Sequence, residues 1–138
     1  MTESTGKHRR IRSYVLRAGR MTDAQQRALA CYWPRYGVEF SKTNLDLNAL
    51  FQRNAPKILD IGTGMGETTA ALASAYRAND FLAVEVHRPG IGSLLRRIAQ
   101  RHLTNVRVCN HDVTDVLRYL LPPESLDQVY IFLDRKST

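Results

Sequence analysis

Three acidic residues stand where alternating strands and helices would put chemistry. Asp60 precedes the turn Gly62-Thr63-Gly64-Met65-Gly66, Glu85 follows nineteen residues after Gly66, and Asp112 closes the triplet Asn110-His111-Asp112. Glycines let a backbone turn tightly and approach a ligand with no Cβ in the way. An acid about 20 residues beyond such a turn is placed to accept from both hydroxyls of a ribose. Asp112 could accept from an exocyclic adenine amine, which needs an acceptor, or cap the helix that follows.

The glycines do not form the dinucleotide fingerprint, because Glu67 stands where G-x-G-x-x-G requires its third glycine. A carboxylate at a helix start also adds negative charge where pyrophosphate would sit. Asp60 and Glu67 instead favour a ligand with a cationic part. Taken together, Asp60, Gly62, Gly64, Glu85 and Asp112 suit a nucleoside with a positive end. S-adenosylmethionine has a ribose, an adenine, an ammonium and a sulfonium. A nicotinamide dinucleotide is the competing ligand. Each feature also has a plainer reading: an ordinary strand-helix turn, a surface carboxylate and a helix cap.

The elements that must position these residues follow from apolar patterning. Thr22 and Gln25 have capping-box spacing, which predicts a helix over 23–33 ended by Pro34. Residues 35–44 read as irregular, and 45–52 as a short helix or turn. Strands are predicted at 57–61, 81–86, 106–109 and 128–133, with helices over 67–77, 90–102 and 113–121 between them. Pro89 suits a first helical turn. Ile91, Leu94, Leu95 and Ile98 make an apolar stripe on the second of these helices. Such alternation reads as an α/β fold, a parallel sheet covered by helices, with its ligand beyond the C-terminal strand ends.

With 138 residues, the chain has room for one core. Its net charge of +7 is uneven: the first 20 residues carry Lys7, Arg9, Arg10, Arg12, Arg17 and Arg20 against Glu3 alone. A basic arm on a near-neutral body points to a polyanion such as nucleic acid, or to a solvated leader. No apolar run nears the ~20 residues that span a bilayer. The N-terminus lacks a secretory h-region, and a transit peptide is the lesser reading of its arginines. Cys31 and Cys109 lie far apart and the four histidines have no ligand spacing, so no metal is expected.

The segments R-S-Y-V-L-R-A-G-R-M-T (12–22), W-P-R-Y-G (33–37), D-I-G-T-G-M-G-E (60–67), E-V-H-R-P-G-I-G (85–92), L-T-N-V-R-V (103–108), H-D-V (111–113) and S-L-D-Q-V (125–129) occur in order. Together they resemble the bacterial tRNA (guanine-N7-)-methyltransferase family over about residues 10–133. The resemblance implies a class I S-adenosylmethionine-dependent methyltransferase sheet, Rossmann-like, here incomplete with about four strands in the order 3-2-1-4. It implies methyl transfer from S-adenosylmethionine to N7 of a guanine in the tRNA variable loop, in the cytoplasm, without membrane or metal. It places cofactor contacts at Asp60, where many members have Glu, and at Glu85 and Asp112. It places tRNA contacts on the arm, at Arg9, Arg10, Arg12, Arg17 and Arg20. The implied organisation is a basic arm at 1–20, a helical extension at 21–55 and the front part of the methyltransferase domain at 56–138.

After the fourth strand the family continues with a Phe-Pro-Asp-Pro-Trp-Pro-Lys type motif. This chain reads Phe132-Leu133-Asp134-Arg135-Lys136-Ser137-Thr138. The expectation is therefore a C-terminally truncated, catalytically impaired form with no catalytic residue assigned. Its fourth strand would be an apolar edge open to self-association. A non-enzymatic tRNA-binding remnant and a nicotinamide-binding domain are the alternatives.

Overall fold

Five parallel strands carry the chain in a computed structural model, which describes residues 20–131. In chain order the elements are α1 (Asp23–Tyr36), β1 (Gly37–Val38), α2 (Leu47–Phe51), β2 (Lys57–Ile61), α3 (Glu67–Ala75), β3 (Asp80–Val84), α4 (Arg88–Gln100), β4 (Val106–Cys109), α5 (Val113–Asp115), which runs on into a π-helical turn (Val116–Leu120), and β5 (Gln128–Ile131). The strand order is β1-β4-β3-β2-β5. The four longer strands thus have the expected 3-2-1-4 arrangement.

The central strands are apolar on both faces, as a parallel sheet covered on each side requires. Ile58, Phe81, Ala83, Val106 and Val108 face a core closed by α1, α3 and α4. Leu59, Leu82, Val84 and Cys109 face a second core closed by α2 and the π-helical turn. On α4 the predicted stripe is fully buried: Ile91, Leu94, Leu95 and Ile98 have no exposure. Burying each such side chain contributes about 1.5–3 kcal/mol.

Three local expectations are corrected. Helix α1 does not stop at Pro34 but runs to Tyr36, with the proline inside it. The lost hydrogen bond falls in the last turn, where exposed Ala30 can turn its carbonyl to water. Tyr36, 5% exposed, anchors that turn in the core. The stretch 35–44 is not wholly irregular, because Gly37 and Val38 pair with Val108 and Cys109 and add β1 outside β4. The helix expected over 113–121 is one α-helical turn followed by a π-helical one, closed by Leu121 N–H to the Val116 carbonyl at 3.1 Å. The wider turn brings Val116, Leu120 and Leu121 all to the core.

Other expectations hold. Thr22 and Gln25 form both bonds of the capping box, at 3.1 and 2.9 Å. Pro89 sits in the first turn of α4. At the sheet's other end, β5 pairs only with β2 among the described residues and leaves Val129 and Ile131 exposed. Arg20 is exposed, while Arg9, Arg10, Arg12, Arg17 and residues 132–138 lie outside the described residues.

The N-terminal strand ends are internally neutralised. Lys57 Nζ lies 2.8 Å from Asp80 Oδ2 and also donates to the carbonyls of Arg53 and Ala55. Arg53 Nε donates to Asp80 Oδ1 at 2.9 Å. Both Lys57 and Asp80 are buried. Replacing Asp80 by Ala strands a buried ammonium, and we expect a loss of about 3–5 kcal/mol in urea unfolding. A loss below about 1 kcal/mol would mean that the two carbonyls alone satisfy Lys57.

Candidate cofactor site

At the C-terminal strand ends the charges are not neutralised. Asp60 is the fourth residue of β2 and has no exposure. Its Oδ2 accepts from the Thr69 hydroxyl of α3 at 2.7 Å, while its Oδ1 has no hydrogen-bond partner. Burial pushes the Asp60 carboxyl up from 3.8 to about 6; the Thr69 bond opposes that rise and the Glu85 charge adds to it.

The loop after β2 folds back through Gly62, Gly64 and Gly66, all at positive φ. Gly62 N–H is spent on the Val84 carbonyl at 3.0 Å. Gly64 N–H donates to Glu85 Oε1 at 2.9 Å, so the loop and the acid after β3 are joined directly. Glu85 Oε2 accepts from His87 N–H at 3.1 Å. The Glu85 backbone is fixed as well, its carbonyl accepting from Asn110 Nδ2 at 2.8 Å. A Cβ on Gly64 would meet nothing within 4 Å, so this side of the loop is open.

The approach of α4 to the loop depends on two bare Cα atoms, Gly66, where a Cβ would fall 2.8 Å from the Leu94 Cα, and Gly90. A Cβ on Gly90 would fall 2.1 Å from the Gly64 carbonyl oxygen. A side chain there would push the loop off Glu85.

Asp112 lies three residues beyond β4 and is exposed. One of its oxygens caps α5 by accepting from Thr114 N–H at 2.8 Å. The structure therefore joins Gly64 to Glu85, sets Asp60 close enough to feel the Glu85 charge, and leaves Asp112 on the next strand's loop. Sequence reasoning missed Thr69 and Asn110. Thr69 lies two residues into α3, and Asn110 stands in the triplet quoted above for its acid.

Together these groups offer a buried carboxylate oxygen without a donor, a carboxylate held rigid by two amides, and a third acid half-used by a cap. Such a set accepts hydroxyl donors and a cation. It repels phosphate.

A family model described as "Putative methyltransferase" matches residues 54–134. Among curated proteins, the tRNA (guanine-N(7)-)-methyltransferase of Nitrosospira multiformis is 55% identical over 91% of this chain and 55% of its own length. That of Dechloromonas aromatica is 53% identical over 88% of this chain and 50% of its own length. The chain thus spans about half the length of the curated relatives it matches. Among solved structures, an antibiotic-related methyltransferase superposes with a TM-score of 0.54 at 19% identity, over 70% of this chain and 48% of that one. The O-methyltransferase TomG from Streptomyces achromogenes, in complex with S-adenosylmethionine, gives 0.50 at 22% identity over 84% and 56%. These two likenesses show the methyltransferase fold. Among the described residues, no helix is long and apolar enough to cross a membrane.

The raised Asp60 value has a pH signature. A carboxyl that holds its proton more tightly folded than unfolded stabilises the folded chain below about 4, and that stability is lost as pH rises through about 6. Above that window an ionised Asp60 costs about 3 kcal/mol. Asp60→Asn keeps an oxygen for Thr69 and removes the charge. Its stability relative to the parent should rise by up to about 3 kcal/mol between pH 4 and pH 7.5 in urea titrations. A difference that does not change with pH would contradict this account of Asp60.

Proposed function

We propose that this chain, a member of the family described as "Putative methyltransferase" through its residues 54–134, binds S-adenosylmethionine at Asp60, Glu85 and Asp112 for methylation of guanine N7 in tRNA, the reaction named for its relatives. The observation that carries the reading is Asp60 Oδ1, a buried carboxylate oxygen with no donor, on the strand beside an acid already fixed in place.

Each residue has a definite task. Glu85 accepts from the two ribose hydroxyls; because the Gly64 and His87 amides already hold its oxygens, little side-chain freedom is lost on binding. Asp112 uses the oxygen not engaged by Thr114 to accept from the adenine amine. Asp60 attracts the ammonium and is stabilised as the anion in return. Gly62 and Gly64 keep side chains out of the ligand's path. Arg9, Arg10, Arg12, Arg17 and Arg20 contact tRNA phosphates.

S-adenosylmethionine supplies a sulfonium methyl: the free lone pair of guanine N7 forms the new N–C bond as the S–C bond breaks, S-adenosylhomocysteine leaves, and no proton need be removed first. Holding donor and base in line can then supply most of the rate. We assign the reaction to the cytoplasm, and we divide the chain into a basic arm at 1–20, a helical extension at 21–55 that also lends β1 to the sheet, and the front part of the methyltransferase domain from 56.

Calorimetry tests the cofactor. S-adenosylmethionine should bind the folded chain more tightly as pH rises through about 6, because binding the cation takes up the ionised form of Asp60. Glu85→Ala should weaken binding about 10- to 100-fold, the scale of losing hydrogen bonds to a charged acceptor. No binding by a folded chain, or thermal protection by NAD in its place, would refute the cofactor reading. Incorporation of labelled methyl into unmodified tRNA, mapped to guanine N7, tests the reaction itself.

A further inference from the structure

A second cleft, of about 590 Å³, opens over the C-terminal ends of β1 and β4. Its wall comes from the end of α1, the segment after β1, the first residue of α4 and the loop after β4. None of Asp60, Glu85 and Asp112 lines it. Its volume is within the range of pockets that hold small ligands, about 300–1,000 Å³.

The lining has the chemistry of a nucleotide. Phe40 and His111 stack face to face, ring centres 3.8 Å apart and planes 2° from parallel. His111 is held from behind, its Nε2 3.0 Å from Asp115 Oδ2. Trp33 lies against Gly37, where a Cβ would collide with the indole. Its Nε1 donates to Glu39 Oε2 at 2.6 Å, which fixes both the ring and the carboxylate. Glu39 is exposed and keeps an oxygen for an incoming N–H. Arg88 is exposed on the rim and pairs with no acid among the described residues.

We propose that this cleft receives one nucleotide of the tRNA, its base against the aromatic wall, its amine edge on Glu39 and its phosphate on Arg88. The inference rests on the RNA substrate proposed above. Every base offers a π face for stacking. Guanine, adenine and cytosine offer N–H donors that a carboxylate accepts. An arginine matches phosphate geometry with paired N–H donors. One cation is too little to hold a free mononucleotide, whereas a polynucleotide also engages the rest of a chain of net charge +7. The cleft and the cofactor site are close along the chain, His111 being beside Asp112 and Arg88 three residues after Glu85. It would therefore anchor a nucleotide near the reacting one.

Trp33 is the only tryptophan of the chain, so its emission reports on this cleft alone. The whole chain is titrated with an unmodified tRNA transcript and, separately, with GMP, each corrected for absorbance against free N-acetyltryptophanamide. The proposal expects saturable quenching by tRNA at concentrations at least tenfold below those GMP needs. Arg88→Ala should weaken tRNA binding about 3- to 10-fold and lower the slope of log K against log salt by about 0.9, the share of one phosphate. Glu39→Gln, which still accepts from Trp33, should weaken it a few-fold. Both variants should bind S-adenosylmethionine as the parent does.

Retention of tRNA on filters with unchanged Trp33 emission and an unchanged slope for Arg88→Ala would overturn the proposal and leave the cofactor reading intact. Equal quenching by GMP and tRNA would make this a mononucleotide site and overturn it too. Failure to bind tRNA at all would overturn it together with the RNA part of the proposed function. Loss of S-adenosylmethionine binding in Arg88→Ala or Glu39→Gln would make the cleft part of the cofactor site and overturn the proposal.

Discussion

A carboxylate buried on β2, with one oxygen tied to a helix and the other left without a donor, is the constraint around which this structure is arranged. Asp60 can hold that position only because Thr69 is brought back over it, and Thr69 is brought back only because the loop between β2 and α3 turns through three residues at positive φ. The same loop presents the Gly64 amide to Glu85, and Gly90 lets α4 come close enough to keep it there. A buried acid of this kind is destabilising when ionised. Its persistence at the C-terminal end of the sheet is understandable if a cation completes it.

The two ends of the sheet show the contrast. At the N-terminal strand ends Lys57, Arg53 and Asp80 satisfy one another. At the C-terminal ends the acids are fixed by amides and a hydroxyl, which orient carboxylates without neutralising them. The fold thus spends its opposite charges on stability at one end and leaves unpaired acids at the other.

Much of this was legible in the sequence. The apolar runs of β2, β3 and β4 and the stripe of α4 announce themselves because burial on both faces, or on one helical face, leaves a periodic trace. Glu85 was legible from its distance to the glycines. What stayed hidden depended on tertiary context. Two residues, Gly37 and Val38, carry no strand periodicity, and β1 exists only because β4 has a free edge there. Pro34 reads as a stop, but the burial of Tyr36 carries the helix past it. The π-helical turn trades regular hydrogen bonding for the burial of Leu121, which no local pattern records. Nor does any spacing rule link Asp60 to Thr69 or Trp33 to Glu39, since those pairs are set by how a loop closes. Asp112 shows a limit of another kind: its cap role and its proposed ligand role use different oxygens, so both readings of the sequence can hold at once.

The central claim is that this crevice is built for the nucleoside and the ammonium of S-adenosylmethionine. A crystal structure of the chain with S-adenosylhomocysteine tests it most directly. The account predicts both ribose hydroxyls within hydrogen-bonding distance of the Glu85 carboxylate, the adenine amine at Asp112, and the amino group directed toward Asp60. A ligand bound elsewhere, or a Glu85 carboxylate still engaged only by the Gly64 and His87 amides, would contradict it.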